Sequence, residues 1–388
     1  MAFDPIHPSI FMDLKNSDIR IPLVDLVAQY ESIQSELDEA MASVVASGRF
    51  IGGDHVNAFA KHFADFCGAA HCVPCANGTD ALEIALQALG IGKGDEVIIP
   101  AFTFVATLES VVNVGATPVL CDIDPLRYTI DVEQANSLIT QKTKAIVPVH
   151  LFGQMADMDA LLELSNKHSI YIIEDAAQAH GATYKGKRAG SLGVMSTFSF
   201  YPGKNLGAYG DAGAITSNDE SLYLKAKKIA DHGRISKYDH EIIGRNSRLD
   251  TLQAAVLSTK LKHLAEWNHR RHALAIRYSL QLSGIEGLEL PQSFEDSQSA
   301  WHLYVIRLKQ ADREAFRKYL KEQGIETGIH YPIALTKLKV TTDQLKIDTS
   351  CEHAEQASAE VVSLPLYPEL TEQMQDYICH HIIEFLKK

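Results

Sequence analysis

Cysteine is scarce in this sequence, with six among 388 residues. The spacing is not that of a disulfide framework, so we interpret these residues as free thiols. Cys72-x-x-Cys75, with Cys67 and His71 nearby, suggests zinc as an alternative. A structural zinc site needs a second pair of ligands, and none is suitably spaced. The sequence therefore favours buried thiols at a strand edge and no metal.

Long apolar runs and large basic clusters are also missing. No uninterrupted apolar stretch reaches the roughly 18 residues that span a bilayer, and the first twenty residues lack the apolar core of a secretory signal. The net charge of −13 is opposite to what a phosphate backbone attracts. The longest basic cluster, around Arg270-Arg271, is predicted to lie on a solvated helix face. We therefore expect a cytoplasmic protein that binds neither membrane nor nucleic acid.

The length of the chain exceeds what one hydrophobic core usually serves, so two domains are predicted. After an N-terminal tail at residues 1–20, short apolar strands alternate with amphipathic helices. This alternation predicts an α/β fold whose mostly parallel sheet is covered on both faces. We place the large domain at 21–265 and a smaller α+β domain at 266–388, with a long bridging helix around 249–282.

Apolar spacing also predicts individual elements. Residues 23–45 and 353–362 have the period of a helix, and residues 145–151 are predicted to form a strand of the sheet. In such sheets, ligands bind beyond the carboxyl ends of the strands. Residues that follow predicted strands are therefore the candidates for a site.

Lys204 is the first of these candidates. It follows the apolar run 195–200, and Pro202 and Gly203 force a turn just before it. At the end of a buried strand, desolvation lowers the pKa of a lysine and favours its nucleophilic free amine. The alternative is an ordinary solvated loop lysine. A chemical role for Lys204 therefore depends on partners elsewhere in the chain.

Two other segments supply possible partners. Gly78 and Thr79 lie between a predicted strand and a helix, where free N–H groups, the helix dipole and the threonine hydroxyl can bind an anion. A simple helix cap is the alternative there. Asp175 follows the apolar strand 170–173, where its carboxylate can face a ligand or cap a turn.

An anion cradle, a strand-end carboxylate and a desolvated lysine are together the parts of a pyridoxal phosphate site. The lysine forms a Schiff base, and the carboxylate keeps the pyridine nitrogen protonated so that the ring can accept electrons. The sequence has no G-x-G-x-x-G after a strand and no G-x-x-x-x-G-K-[ST] loop. Dinucleotide and P-loop sites are therefore disfavoured.

Five segments resemble the DegT/DnrJ/StrS family of nucleotide-sugar aminotransferases, in that family's order and spacing. The resemblance extends from about residue 21 to the C-terminus. The segments are PAFTFVAT at 100–107, EDAAQAHG at 174–181, FSFYPGKNLG at 198–207, NSRLDTLQAA at 246–255 and SLPLYP at 363–368.

The resemblance implies a fold-type-I pyridoxal phosphate enzyme with a seven-stranded sheet, acting as a homodimer with shared active sites. By motif position, Lys204 would form the Schiff base and Asp175 would pair with the pyridinium. Gln178 would lie by the phenolic oxygen of the cofactor, and Phe104 would stack on its ring.

Further roles follow from the same resemblance. The phosphate would be held by Gly78, Thr79 and Ser199, with Asn246 contributed by the partner subunit. The positions that match sugar-nucleotide contacts are Arg248, His330 and Tyr331. Ala212 stands where many relatives have glycine, a change that matters only if this position needs a positive φ.

The implied reaction is ping-pong transamination. L-Glutamate would leave as 2-oxoglutarate, and a nucleotide-linked keto sugar would then be aminated while Lys204 carries the proton. The segment around Lys204, the turn containing Asp211 and the run His232-Gly233-Arg234 resemble enzymes that act on 3-keto sugars. We expect a dTDP-linked 3-keto-6-deoxyhexose, in amino sugar biosynthesis such as that of lipopolysaccharide O-antigen. Alternatives are amination at carbon 4, a UDP-linked 3-keto-uronic acid, or a non-catalytic regulatory protein that binds the cofactor.

Overall fold

The computed structural model describes residues 20–347 and 349–387, so residues 1–19 of the predicted tail lie outside the described part. Fifteen strands occur in the described residues. They are β1 (His71–Cys75), β2 (Glu96–Pro100), β3 (Thr117–Cys121), β4 (Thr143–Ile146), β5 (Tyr171–Asp175), β6 (Thr183–Tyr184), β7 (Lys187–Arg188), β8 (Met195–Ser199), β9 (Gly213–Ser217), β10 (Arg234–Ser236), β11 (Asp239–His240), β12 (Leu288–Glu289), β13 (Ser297–Gln298), β14 (Tyr304–Leu308) and β15 (Val361–Leu364).

Seven of these strands form the central sheet, in the order β1-β9-β8-β5-β4-β2-β3. Strand β9 is antiparallel to both of its neighbours, and the other pairs are parallel. The prediction of a mostly parallel seven-stranded sheet is therefore confirmed. Because six strands point the same way, their carboxyl ends meet at one edge of the sheet, as the candidate site requires.

Helices pack on the sheet and on a smaller C-terminal sheet. Several begin at an aspartate, asparagine or threonine whose side chain accepts a hydrogen bond from a first-turn N–H, as helix starts favour. The α-helices of the described residues are Leu26–Ser32, Gln34–Ser47, Asp54–Cys67, Gly78–Ala88, Ala106–Asn113, Val132–Ser137, Met158–His168, Glu220–Ala230, Thr251–Leu261, Leu264–Leu282, Arg313–Glu322, Glu352–Glu360 and Glu372–Leu386.

Two predicted helices are each interrupted, so those predictions were wrong in part. The predicted helix at 23–45 is divided at Ile33, and the predicted bridging helix at 249–282 is divided at Lys262 and His263. The N–H groups of Lys262 and His263 bond three residues back instead of four, which tightens the chain into a turn. Apolar residues keep a helical spacing across each break, and the sequence therefore gives no sign of it.

Two other predicted elements end early. Strand β4 stops at Ile146, and the chain reaches a 3-10 turn at Leu151–Gly153 instead of continuing as a strand. The predicted helix at 353–362 ends at Glu360, because the β-branched residues Val361 and Val362 pair with β14. The antiparallel partner strand overrides the helical pattern here.

The C-terminal sheet has the order β12-β14-β15 and carries its own apolar cluster. Ile21 belongs to this cluster, and its N–H donates to the carbonyl of Gly324 at 2.8 Å. The start of the described chain thus packs against the C-terminal sheet, while the domain boundaries stay a prediction. Across the described residues, no helix is both long enough and apolar enough to cross a bilayer.

The six cysteines are buried free thiols. Cys72 and Cys75 belong to different apolar clusters, on opposite faces of the sheet. Burial raises the pKa of both thiols, so the thiolate form that zinc requires is disfavoured. Both residues serve the packing of β1 between the two clusters.

Candidate active site

A cavity of about 840 Å³ opens at the carboxyl edge of the central sheet. Nine of the eleven predicted site residues line it, although they come from distant parts of the sequence. They are Gly78, Thr79, Phe104, Asp175, Gln178, Ser199, Lys204, His330 and Tyr331. Asn246 and Arg248 lie elsewhere on the chain.

Lys204 lies in the loop between β8 and β9, and backbone hydrogen bonds fix this loop. The N–H of Lys204 donates to the carbonyl of Tyr201 at 2.8 Å, and the N–H of Ala208 donates to that of Phe200 at 2.8 Å. The adjacent Asn205 is 2% exposed, and its side-chain nitrogen donates to the carbonyl of Ala300 at 2.7 Å. The amine is therefore carried on a rigid support.

The environment of Lys204 makes its protonated form less favourable than in an exposed lysine. Burial lowers the pKa of Lys204 to about 8, and the charge of Asp175 partly opposes this shift. A neutral amine is the form that attacks a carbonyl carbon or accepts a proton. The predicted desolvation of this lysine is thus present in the structure.

Asp175 is the last residue of β5 and is only 4% exposed. One carboxylate oxygen accepts a hydrogen bond from the Thr107 hydroxyl at 3.0 Å, and the other accepts one from the Ala177 N–H at 3.2 Å. Burial nevertheless raises the pKa of this carboxyl above its ordinary value. A cationic ligand in the cavity would stabilise the ionised carboxylate.

Glu174 precedes Asp175 and faces the other side of the sheet. The sequence indicated no role for this residue. Its carboxylate accepts five hydrogen bonds, the shortest from the Ser196 hydroxyl at 2.6 Å. Burial alone would raise the pKa of Glu174, but the hydrogen bond from His150 and the others hold it below its ordinary value. These hydrogen bonds connect β5 to β8 and to the residues that precede β8. They therefore fix the end of β5, which carries Asp175.

The start of the helix Gly78–Ala88 faces Ser199 across the cavity wall. The side chain of Asn77 accepts a hydrogen bond from the N–H of Asp80 at 2.8 Å. The N–H groups of Gly78 and Thr79 have no partner within the helix, because they belong to its first turn. A Cβ atom at position 78 would lie 2.6 Å from the Cβ of Ser199. Only glycine fits there, and the result is a small cradle of N–H and hydroxyl groups suited to a phosphate.

Gln178 connects the cavity wall to Tyr331. Its carbonyl oxygen accepts from the Phe152 N–H at 2.7 Å, and its nitrogen donates to the Tyr331 hydroxyl at 3.0 Å. The Phe104 ring is 53% exposed and lies 5.7 Å from the Tyr331 ring. The two aromatic rings thus present faces to the cavity beside the amide.

His330 also lines the cavity. Its Nδ1 lies 2.8 Å from the Ser363 hydroxyl. Burial lowers the pKa of His330 to about 4, and the nearby Lys204 charge acts in the same direction. This imidazole is therefore neutral near pH 7 and offers hydrogen bonds without charge.

Asn246 and Arg248 are not brought to the cavity of their own chain. Asn246 is exposed and pairs with Asp231 through a β-bridge. Arg248 Nη1 lies 3.6 Å from a carboxylate oxygen of Asp231. Within the described chain, Asn246 and Arg248 therefore do not line the cavity.

The cavity wall also contains residues to which the sequence analysis gave no role: His302, Tyr201 and Arg271. The prediction that Arg270-Arg271 lies on a solvated helix face was wrong for Arg271, which is 3% exposed. The helical spacing of Trp267, Arg271 and Leu274, which are all buried on one face, was the available signal. At Ala212, φ is not positive, so alanine in place of glycine causes no backbone strain.

The sequence model of the DegT/DnrJ/EryC1/StrS aminotransferase family matches residues 31–383. The chain belongs to that family. The chain is similar to the dTDP-3-amino-3,6-dideoxy-alpha-D-galactopyranose transaminase of Aneurinibacillus thermoaerophilus. It is 45% identical over 91% of this chain and 96% of its own length.

Two other similar proteins extend the comparison. The pleiotropic regulatory protein of Geobacillus stearothermophilus is 44% identical over 95% of this chain and 99% of its own. The crystal structure of S. venezuelae DesV in complex with a ketimine intermediate has a TM-score of 0.92 and 41% identity. It covers 95% of this chain and 99% of its own. The α/β fold predicted from the sequence is thus the fold of the DegT/DnrJ/EryC1/StrS aminotransferases.

Pyridoxal 5'-phosphate is the cofactor of this aminotransferase, as in solved relatives of the DegT/DnrJ/EryC1/StrS family that hold it or pyridoxamine phosphate. The cavity fits this group in three respects. The glycine cradle at Gly78 suits a phosphate, the buried Asp175 suits a cationic ring nitrogen, and Lys204 offers an amine of lowered pKa in the same cavity. No other lysine of the described residues lines this cavity.

Proposed function

We propose that this aminotransferase moves the amino group of L-glutamate to a nucleotide-linked 3-keto-6-deoxyhexose, with dTDP as the carrier. The convergence of Lys204, Asp175 and the Gly78 cradle on one cavity carries this proposal. Similarity to a dTDP-3-amino sugar transaminase at 45% identity, and to S. venezuelae DesV, supports the 3-keto sugar. The cytoplasm, where nucleotide sugars are made, is the proposed compartment.

The bound cofactor supplies an electron sink for the carbanion that forms when a proton leaves the carbon bearing nitrogen. Lys204 is proposed to hold the cofactor covalently at rest and to carry that proton between two carbons. Asp175 would hold the ring nitrogen in its protonated state. Its burial keeps water from screening this charge.

The other side chains are proposed to bind and orient. Gly78, Thr79 and Ser199 would hold the phosphate through N–H and hydroxyl groups, and Phe104 would stack on the ring. Gln178 would contact the phenolic oxygen, while His330, Tyr331 and Arg248 would contact the sugar nucleotide. Because Gln178 is already hydrogen-bonded at both ends, its position is set before any ligand binds.

The proposal can be tested with the absorbance spectrum of the holoenzyme. Addition of L-glutamate alone is expected to bleach the visible band of the resting cofactor, and a dTDP-3-keto-6-deoxyhexose is expected to restore it. Because each half of a ping-pong cycle proceeds without the other substrate, both changes should occur in separate steps. The matched comparison uses dTDP-4-keto and UDP-3-keto-uronic substrates.

The spectral outcomes separate the alternatives. Recovery with a UDP-linked or 4-keto sugar, and none with the 3-keto sugar, would contradict the proposed substrate. Absence of bleaching with every amino donor would instead favour a regulatory protein that binds the cofactor without turnover.

We also propose a homodimer whose two sites each use residues of both subunits. Asn246 is exposed and outside the cavity of its own chain, as a residue donated to a partner would be. Several large hydrophobic side chains are exposed, and one of them, Tyr201, lines the cavity. They include Phe50, Ile51, Tyr201, Tyr209 and Ile243. Exposed apolar residues of this kind are typical of a protein interface.

Mixing two inactive variants tests the shared site. Lys204→Ala and Asn246→Asp are each expected to lose most activity, the second because a negative charge beside the phosphate weakens cofactor retention. In a mixed dimer, one site carries both changes and the other carries neither. Unfolding and refolding an equal mixture should therefore restore about a quarter of wild-type activity, as random pairing predicts. No recovery, with mixed dimers demonstrated by mass spectrometry, would show that the site lies within one chain.

A further inference from the structure

Arg271 is a buried cation that forms no contact ion pair among the described residues. It lies on the helix Leu264–Leu282, is 3% exposed, and forms no ion pair within the described part of the chain. Its Nη1 donates to the carbonyl of Leu366 at 2.6 Å and reaches that of Trp301 at 3.5 Å. Its Nε is buried and has no hydrogen-bond partner. Burial of a guanidinium whose N–H groups are only partly hydrogen-bonded destabilises the folded protein unless an anion binds the guanidinium.

Arg307 shows how this fold neutralises a buried guanidinium that has a structural role. Arg307 is 2% exposed and forms ion pairs with Glu360 at 2.8 Å and Glu289 at 3.4 Å. Burial lowers the pKa of Arg271, and the charge of Glu369 partly opposes this shift. Glu369 forms no ion pair with Arg271 and has a buried oxygen without a hydrogen-bond partner. Among the described residues, Arg271 therefore lacks the close carboxylates that neutralise Arg307.

Arg271 also lines the cavity that contains Lys204. Leu366, whose carbonyl holds the guanidinium, and His302 line the same cavity. Two carbonyl groups from separate segments thus fix the direction of the side chain at the cavity wall. The cation is therefore oriented at a position that a ligand can reach.

Few other side chains in this cavity are cationic and could bind an anion. His302 and His330 are neutral near pH 7, since burial lowers the pKa of both imidazoles. Lys204 is engaged by the cofactor in the resting enzyme under the proposed function. Arg271 is then the remaining permanent cation among the described lining residues, while Asp175 and Asp211 are carboxylates that repel an anion.

We infer that Arg271 binds a carboxylate of the amino donor and of the keto acid that it becomes. The inference rests on the proposed function, which requires an amino acid and a nucleotide sugar to use one cavity in turn. A carboxylate is present in the amino donor and in the keto acid product, so Arg271 would serve both directions of that half-reaction. A planar guanidinium with a free N–H matches a carboxylate in geometry and charge.

The test compares Arg271→Gln and Arg271→Lys with Arg270→Gln in the holoenzyme. Arg270 is the matched control, since it is the neighbouring arginine and forms an exposed pair with Glu266. Glutarate, a dicarboxylate that has no amine and cannot react, is the binding probe in calorimetry. Arg271→Gln is expected to weaken glutarate binding about 10- to 100-fold, as the loss of a charge-assisted hydrogen bond predicts. Arg271→Lys should weaken it less, and Arg270→Gln should leave it within about twofold.

Separate half-reactions give the second readout. L-Glutamate should show a raised KM in Arg271→Gln, whereas the half-reaction with the sugar nucleotide should keep its rate. Thermal unfolding and the visible spectrum of the bound cofactor establish that each variant is folded and loaded. If Arg271→Gln fails to fold, Arg271→Lys carries the test, because it retains a donor for the Leu366 carbonyl.

The outcomes distinguish this inference from the proposed function. Unchanged glutarate affinity and unchanged KM for L-glutamate in a folded Arg271 variant would overturn the inference and leave the function intact. Equal losses in both half-reactions would also overturn it, since they would show a purely structural role. Absence of both half-reactions in the wild-type enzyme would instead contradict the proposed function.

Discussion

Replacing Lys204 with alanine is expected to lower the rate of transamination by at least about 10⁴-fold. The variant lacks the amine proposed to hold the cofactor and to carry the proton between two carbons. The two imidazoles in the cavity wall, His302 and His330, cannot form a Schiff base, and their Nδ1 atoms lie within hydrogen-bond distance of Asn205 and Ser363. Single-turnover measurement with L-glutamate is the direct test.

A matched variant, Lys204→Arg, keeps the positive charge but has no amine that deprotonates, so it should be equally inactive. Borohydride treatment should fix the cofactor covalently to the wild-type protein and not to Lys204→Ala. In the cofactor-free protein, acylation of this amine should have its midpoint near pH 8, because burial lowers the pKa of Lys204 to about 8. A rate in Lys204→Ala within tenfold of wild type would contradict the assignment.

Replacing Asp175 with asparagine is expected to lower kcat by about 10²-fold or more. Asparagine is nearly isosteric, so it can keep one hydrogen bond of the pair made to Thr107 and Ala177 while it removes the negative charge. Without this charge the ring nitrogen loses its proton more readily, and the electron sink weakens. The measurement is kcat, together with the pH dependence of the visible spectrum of the holoenzyme.

The neighbouring carboxylate provides the control for Asp175→Asn. Glu174→Gln removes a charge that accepts five hydrogen bonds on the opposite face of β5. We expect it to lower the free energy of unfolding by about 1–3 kcal/mol without the spectral change of Asp175→Asn. If Asp175→Asn kept wild-type kcat and spectrum, the proposed pairing with the ring nitrogen would be wrong.

The sheet and the cradle could be predicted because their signals are local. Strands and helices alternate in a short repeating pattern, and the proposed cofactor contacts lie at or just after the carboxyl ends of β1, β5 and β8. Parallel strands then bring Gly78, Asp175 and Lys204 to one edge without further information. The resemblance to a family added the roles of Gln178 and Phe104, which no spacing indicates.

What the sequence did not predict depends on contacts between distant segments. The helical spacing of Arg271 indicates a buried face, but its contacts with the carbonyl groups of Trp301 and Leu366 come from segments about 30 and 95 residues away. The break at Lys262 and His263 lies between apolar residues that keep a helical spacing. Likewise, the donors to Glu174 lie 16 to 24 residues away in sequence, so their convergence was not visible.

The two successive acids at the end of β5 have a consequence for insertions and deletions. Side chains alternate between the faces of a strand, so a shift of β5 by one residue would exchange the two carboxylates. Glu174 would enter the cavity, and Asp175, shorter by one methylene, would face donors placed for a longer side chain. Loss of a single residue within 171–173 would therefore displace both carboxylates, the one proposed to act on the cofactor and the structural one, although both acids would still be present. The register of this strand against the segment 190–196 thus determines which carboxylate faces the cavity, although that segment does not line it.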